Sequence, residues 1–471
     1  MKPSELSIDT RNYLLNRVLP KFISFLSLPI LLRLINPIFW GEIALLVGLQ
    51  SLFSGLFSQG KDASIERYFF RLSKKETKSY SKAYLIRTFL LLSLGLIVIE
   101  LFFRFNIINF FDLPYGLPLR FALVGSLFLA NQKYLLAILR ATKKSKKVLQ
   151  YTQFIAVLLP LSQVLFVYFI IYIRDFNDRM IVSAYFFAQI IVLIASNIII
   201  YRFIRKQIEN GQKNLGTGTE NISKYSNMAF LFILFSSFIN WQDRYYIKYY
   251  LTEYDVGLYD VIYRYVDIIG VIIGSFLIAL APILFSKKDS GTKYFTSVEN
   301  LIYLAFLIAA GGTFISKIAI EIILPESFHS AANIVPILAI GLAFASAASI
   351  TTTIFDVNER KDLNFKGIFF ATIINALGNI YLIPEYGILG AAFSMLISGI
   401  FWFLLVLYFA KAFGFTMKRG LLQIASINLL IVTNFLFWKE SFIFDLFGIL
   451  IFIIISIRSV RLTKDILKFS L

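Results

Sequence analysis

Apolar residues in this chain come in long blocks rather than in an alternating pattern. Each block runs for about 20 residues, the length needed to cross about 30 Å of hydrocarbon at 1.5 Å per residue. Short polar stretches separate them. Fourteen membrane spans are predicted, at 14–34, 40–59, 83–103, 118–139, 149–172, 180–201, 226–248, 257–281, 295–323, 333–355, 365–383, 388–410, 420–437 and 442–457. No block alternates with the period of two that marks a half-buried strand. The predicted class is therefore an all-α, polytopic membrane protein.

Composition agrees. The chain is 58% hydrophobic, with a mean hydropathy of +0.74, against roughly 45–50% apolar residues in average globular domains. The absence of cysteine excludes disulfides and thiol chemistry. The first residues, MKPSELSIDTRN, are polar and lead into a full-length span, so no cleavable signal peptide is expected. A net charge of +18 invites a nucleic-acid reading, but its placement favours topology. Of 46 Lys and Arg, 34 fall in the N-terminal region to Lys21, in the loops 61–82, 140–147, 202–224, 287–293, 360–366 and 411–419, and in the tail from Arg458. In a fourteen-span chain all of these lie on one side. The positive-inside rule places them, with both termini, in the cytoplasm. Contact with anionic membrane lipids follows, and no nucleic-acid motif is present.

The stretch IENGQKNLGTGTENISK reads as a polar linker after the sixth span. It divides the chain into an N-terminal lobe (1–207), a cytoplasmic linker (208–224), a C-terminal lobe (225–412) and a final pair of spans with a tail (413–471). Repeated halves of this kind are common in transporters. Gly41 and Gly257, in the turns after spans one and seven, are weak traces of such a repeat. GTGTE lacks the Gly-Lys-Ser/Thr ending of a nucleotide-binding loop, so hydrolysis of ATP by this chain is not expected.

Three segments carry a family resemblance. RLINPIFWGEIALLVGLQSLFSGLFSQGKDASIERYF (33–69), WQDRYYIKYYLTEYDVGLYDVIYRY (241–265) and LIPEYGILGAAFSMLIS (382–398) resemble, in order, the first two spans, the seventh and eighth spans, and the turn between spans eleven and twelve of polysaccharide flippases. The resemblance is to the Wzx-like O-antigen and oligosaccharide flippases of the MOP (MATE-like) superfamily. It implies two six-helix lobes in a V-shaped arrangement plus two C-terminal helices. It also implies translocation of undecaprenyl-diphosphate-linked oligosaccharide across the bacterial inner membrane, by alternating access, for O-antigen or capsular polysaccharide assembly. A polysaccharide polymerase and a chain-length regulator are the implied protein partners.

A diphosphate needs cationic donors along its path, and charges inside spans are costly enough to be functional candidates. Asp260, Arg264 and Asp267 stand at spacings of four and three on one face of span eight. They read either as an internal brace or as a cavity-facing arginine held by two acids. Lys133, in span four, lies about 20 Å from the outer end by the helix rise. Arg17 and Lys21 in span one and Arg87 in span three read as a cationic entrance or as side chains snorkelling to inner-leaflet phosphates. Arg244, with Asn240 and Lys248, forms a stripe at the outer rim of span seven, amid an aromatic belt of Trp241, Tyr245, Tyr246, Tyr249 and Tyr250. By the resemblance, Asp243, Asn375, Asn379 and Ser394 are a candidate sodium site, with interhelical hydrogen bonding as the alternative. No cofactor is expected, beyond coupling to a sodium or proton gradient. His329 reads as a surface residue of an outer loop.

Two other functions compete. A multidrug or cation-coupled exporter of the same superfamily would favour an acidic cavity. A membrane polysaccharide polymerase, ligase or glycosyltransferase would need catalytic groups in a sizeable outer loop, and the outer loops here are short. The chain is expected not to be an enzyme.

Overall fold

The protein is described by a computed structural model, in which residues 3–69, 72, 74–104, 116–142, 145–172, 179–210, 219–286, 292–358, 360–417 and 428 are placed. Fourteen α-helices and one 3₁₀ segment account for nearly all of them, and no strand occurs among the described residues. The helices are α1 (Pro3–Leu34), α2 (Pro37–Ser58), α3 (Lys61–Tyr68), α4 (Lys74–Arg104), α5 (Leu117–Ala141), α6 (Ser145–Tyr172) and α7 (Arg179–Asn210). They continue with α8 (Thr219–Tyr250), α9 (Glu253–Ser286), α10 (Thr292–Ile323), α11 (Val335–Thr351), α12 (Thr353–Val357), α13 (Lys361–Tyr386) and α14 (Ile388–Lys411). The 3₁₀ segment, Glu326–Ile334, sits between α10 and α11.

The first twelve predicted spans each fall on a helix. The last two, with the tail, lie outside the described residues apart from Asn428. Two helices were not anticipated: α3 and α12, of 8 and 5 residues. Neither is long enough to cross a bilayer. Among the described residues, nine segments are long and apolar enough to do so. The helices α1, α8 and α9, which carry many of the singled-out charges, are not in that set.

Local chemistry fixes the helix ends. Asn36 caps α2, its Oδ1 accepting from the Phe39 N–H at 3.0 Å, with Pro37 in the first turn. At the other end Gln59 and Gly60 both take left-handed backbone, at φ 50° and 65°. A Cβ on Gly60 would lie 2.2 Å from the Ser226 carbonyl oxygen, so glycine is demanded by space as well as by φ. At the start of α9, Thr252 and Asp255 cap reciprocally. The Thr252 N–H and hydroxyl donate to Asp255 Oδ2, and the Asp255 N–H donates back to Thr252 Oγ1.

The chain divides into two compact units, Met1–Tyr245 and Tyr246–Leu471. The division falls inside α8, beyond the polar stretch 208–224 read as a linker. In the first unit α5 is central, packed on α2, α3, α4 and α7, while α1 and α7 pack on α6. In the second, α11 is the buried centre, in contact with α9, α10 and α14, and α13 pairs with α14. Small residues permit the tightest crossing. A Cβ on Gly341 would meet the Leu396 backbone at 3.2 Å, and one on Gly399 would meet the Gly341 carbonyl oxygen at 2.7 Å. Apolar side chains such as Ile86, Phe89, Ile97 and Leu101 on α4 are exposed. That inverts the arrangement of a water-soluble protein and matches a chain solvated by lipid.

Candidate functional site

The first unit holds a polar seam in otherwise apolar helices. Lys133 on α5 sends its Nζ to Ser54 Oγ on α2, at 3.0 Å. Its side chain is accessible, whereas Ser54 is buried. Beside it, Gln132 donates to Ser196 Oγ at 3.3 Å, and Asn197 Nδ2 donates to the carbonyls of Phe128 at 3.0 Å and Leu193 at 2.8 Å. The residue next in α5, Tyr134, stacks on Tyr84 with centroids 4.2 Å apart and shares a 2.9 Å hydrogen bond with Ser81. Thus α5 meets α2 and α4 through polar groups that span-by-span reading of hydropathy misses. Ser54, Ser196 and Asn197 leave no signal in a single sequence, because an isolated Ser or Asn in an apolar run is common.

At the end of α2 a second polar cluster forms around α3. Lys61 lies over the Tyr80 ring at 5.0 Å, and Tyr80 Oη is 2.8 Å from Ser64 Oγ. Burial first, and the nearby Arg87 guanidinium second, hold the Lys61 ammonium below its ordinary 10.5. Arg67 stacks on Tyr68 and Tyr225, and Arg140 holds Glu66 through two hydrogen bonds of 2.9 and 3.1 Å. Arg87 is exposed, as is Lys21 on α1. The side chain of Arg17 lies outside the described residues.

On α8, Asp243 and Arg244 are both about 1% exposed. Arg244 donates from Nη1 to the Asn240 carbonyl at 2.8 Å and lies over the Trp241 ring at 4.8 Å. This candidate for the rim of a path is packed within the protein. Tyr245, expected in an interfacial belt, donates to the Leu45 carbonyl at 2.8 Å, against the space that Gly48 leaves open. Tyr249 is 74% exposed, as a belt residue would be. In the second unit Lys248 pairs with Glu253 across the α8–α9 turn. About three turns into α9, Arg264 Nε donates to Asp260 Oδ2 at 2.6 Å. The aspartate is fully buried and the arginine side chain is 30% exposed. Asp267 is partly buried, its Oδ1 3.4 Å from where a Cβ on Gly270 would lie.

The four residues of the candidate sodium site fall in different units, Asp243 in the first and the other three in the second. Asn379 donates to Asn375 Oδ1 at 3.2 Å, and Ser394 donates to its own Gly390 carbonyl at 2.8 Å while filling the space left by Gly378. Each bond runs within a single helix, and the contact between α13 and α14 is the Ser394 side chain against Gly378. Among the described residues, no three His, Cys, Asp or Glu side chains are grouped to hold a metal ion. His329 caps its own loop through a 3.0 Å contact to the Leu324 carbonyl.

Residues 11–288 match the polysaccharide biosynthesis protein family. The chain belongs to that family. The match includes α1 to α9, hence Lys133 and its seam, the α3 cluster and the Asp260–Arg264 pair. No curated protein matches this chain. Among solved structures it is similar to a lipid II flippase, MurJ, in an inward closed conformation, at 16% identity, 96% of this chain, 100% of that one and a TM-score of 0.65. It is also similar to a MATE transporter in the bent conformation, at 12% identity, 92% and 98% coverage and a TM-score of 0.58. An inward-facing multidrug resistance MATE family transporter of the MOP superfamily follows, at 14% identity, 90% and 95% coverage and a TM-score of 0.55. At such identities the likeness is one of fold. The polysaccharide biosynthesis family member thus has the fold of MOP-superfamily flippases and transporters, and is a multi-pass membrane protein.

Proposed function

We propose that this family member flips undecaprenyl-diphosphate-linked oligosaccharide from the cytoplasmic to the outer leaflet, by alternating access, for O-antigen or capsular polysaccharide assembly. In this reading it resides in the bacterial cytoplasmic membrane with both termini in the cytoplasm, and it hands its cargo to a polysaccharide polymerase under a chain-length regulator. The observation that carries the proposal is Lys133. A cation within an apolar helix costs about 2.5–3.5 kcal/mol on insertion scales. Its ammonium is held by a neutral hydroxyl, Ser54, and is bonded to no carboxylate among the described residues. A phosphate oxygen is a stronger, charge-assisted partner and would displace that hydroxyl. The polar seam of Gln132, Ser196 and Asn197 keeps α5 fixed while the lysine changes partners. A lone lysine presents a point charge rather than a fork, which suits a head group that must be released as readily as it is bound. An exporter of cationic drugs would place an acid there instead.

In a strain lacking the protein, completed lipid-linked units should accumulate on the cytoplasmic leaflet, and surface polysaccharide should disappear. Supplying Lys133→Ala at the wild-type membrane level should restore less than a tenth of surface polysaccharide, and Lys133→Arg most of it. Normal outer-leaflet delivery in the deletion strain would sink the function. Full rescue by Lys133→Ala would sink the role of the lysine.

A further inference from the structure

A cavity of about 1030 Å³ lies wholly within the first unit, between α2, α4 and α8, with Leu119 of α5 on its wall. Its walls are almost entirely apolar, Leu52, Leu56, Leu90, Leu94 and Phe230 among them. Its volume is at the upper end of small-molecule sites, yet a small polar ligand would find few partners along it. One end differs. Arg87 and Gln59 line the wall there, at the end of α2 that leads into α3. Among the described residues Arg87 makes no hydrogen bond or ion pair. Its guanidinium repels the Lys61 ammonium, which rests on the Tyr80 ring. Two cations that repel each other without a carboxylate bridging them are costly unless an anion comes between. Asp62, next to Lys61 in the chain, bonds to neither cation among the described residues, and its Oδ1 is buried without a partner, although its field reaches the same Tyr80.

The cavity's length sets the ligand. From Arg87 to Ile99, both on its wall, α4 rises roughly 18 Å. That is close to half of the ~30 Å hydrocarbon core, or one leaflet. We propose that this cavity is a binding site for one anionic glycerophospholipid of the cytoplasmic leaflet, its acyl chains between α2, α4 and α8 and its phosphate between Arg87 and Lys61. The site is separate from the Lys133 seam and does not depend on what that seam transports. It removes Arg87 from the candidate substrate path and gives it a resident partner. The lipid fills a gap between helices that otherwise meet sparsely, so its loss should loosen α4.

The test is lipid mass spectrometry on the full-length protein purified in mild detergent. Wild type should retain about one anionic phospholipid per chain, selected over the zwitterionic lipids of the same membrane. Arg87→Ala with Lys61→Ala should lower that occupancy at least fivefold, and Leu94→Trp, which fills the cavity, should do the same with both cations in place. Arg87→Lys should keep it. Four results would overturn the proposal. They are wild type with no retained phospholipid, retention without preference for charge, unchanged retention in the two depleted variants, and a polyprenyl phosphate in place of the phospholipid. The wild-type measurement decides even if a variant fails to purify as a monodisperse species. Because the readout is bound lipid, its outcome is independent of whether the protein flips oligosaccharide.

Discussion

At the scale of single residues, the Asp260–Arg264 pair is the sharpest feature of α9. The i, i+4 spacing puts the two side chains in reach, and the 2.6 Å contact joins a fully buried carboxylate to a partly exposed guanidinium. Removing the arginine takes an ion-pair partner from a buried charge. Breaking buried pairs costs about 3–5 kcal/mol. The 30% exposure of Arg264 lets water supply some compensation, so Arg264→Ala should destabilise the protein by about 2 kcal/mol, read as thermal unfolding in detergent. Asp260→Asn with Arg264→Gln should recover most of that. An unchanged melting temperature in Arg264→Ala would dismiss the brace. A double variant that is stable but inactive would assign the guanidinium to the transported head group. The spacing of these two residues made their pairing legible in the sequence. The burial of Arg244 was not legible, because Asn240 and Trp241 enclose it only once α8 has formed, and packed is indistinguishable from exposed in a string of letters.

At the scale of elements, the period and length of the apolar blocks placed twelve helices, since 20 apolar residues in lipid have few other ways to satisfy their backbone. The short α3 escaped that logic, being too brief and too polar to register as a span, and α12 was absorbed into the tenth predicted span, 333–355. The turn LIPEYGILGAAF shows what glycine adds between α13 and α14. Gly387 has φ +59°, and a Cβ on Gly390 would lie 2.1 Å from the Leu382 carbonyl oxygen. The obstacle is backbone, which a rotamer change cannot relieve. Gly390→Ala should therefore push α14 away from the end of α13 and cost about 1–3 kcal/mol, in the range of core overpacking. The same unfolding assay reads it, and a neutral result would mean that the hairpin is looser than its geometry. The resemblance segment 382–398 was thus legible as a motif, but its physical reason, one backbone passing over another, became visible only in three dimensions.

At the scale of the whole molecule, the distribution of Lys and Arg makes one demand that the helices respect. Basic loops stay on one side only if every segment counted as a span crosses and no other does. The two added helices do not upset that parity. At 1.5 Å per residue α3 extends roughly 12 Å and α12 less, so the chain enters α4 on the side where α2 left it. Residues between α2 and α4 should then face the cytoplasm, and the 3₁₀ segment between α10 and α11 the opposite side. The chain offers a direct way to check, because it contains no cysteine. Lys78→Cys, exposed near the start of α4, and Ser330→Cys, exposed in the 3₁₀ segment, each create a single labelling site without touching a packed side chain. In intact cells stripped of their outer layer, a membrane-impermeant maleimide should label position 330 at once, and position 78 only after the membrane is opened. Label at both positions in sealed cells would mean that an extra crossing exists between them. The reverse pattern would invert the chain, setting its 46 Lys and Arg largely outside, against the bias that orients membrane proteins. That result would also turn Lys61 and Arg87 toward the outer leaflet, so the same two cysteines fix which leaflet supplies the lipid proposed for the cavity beside α4.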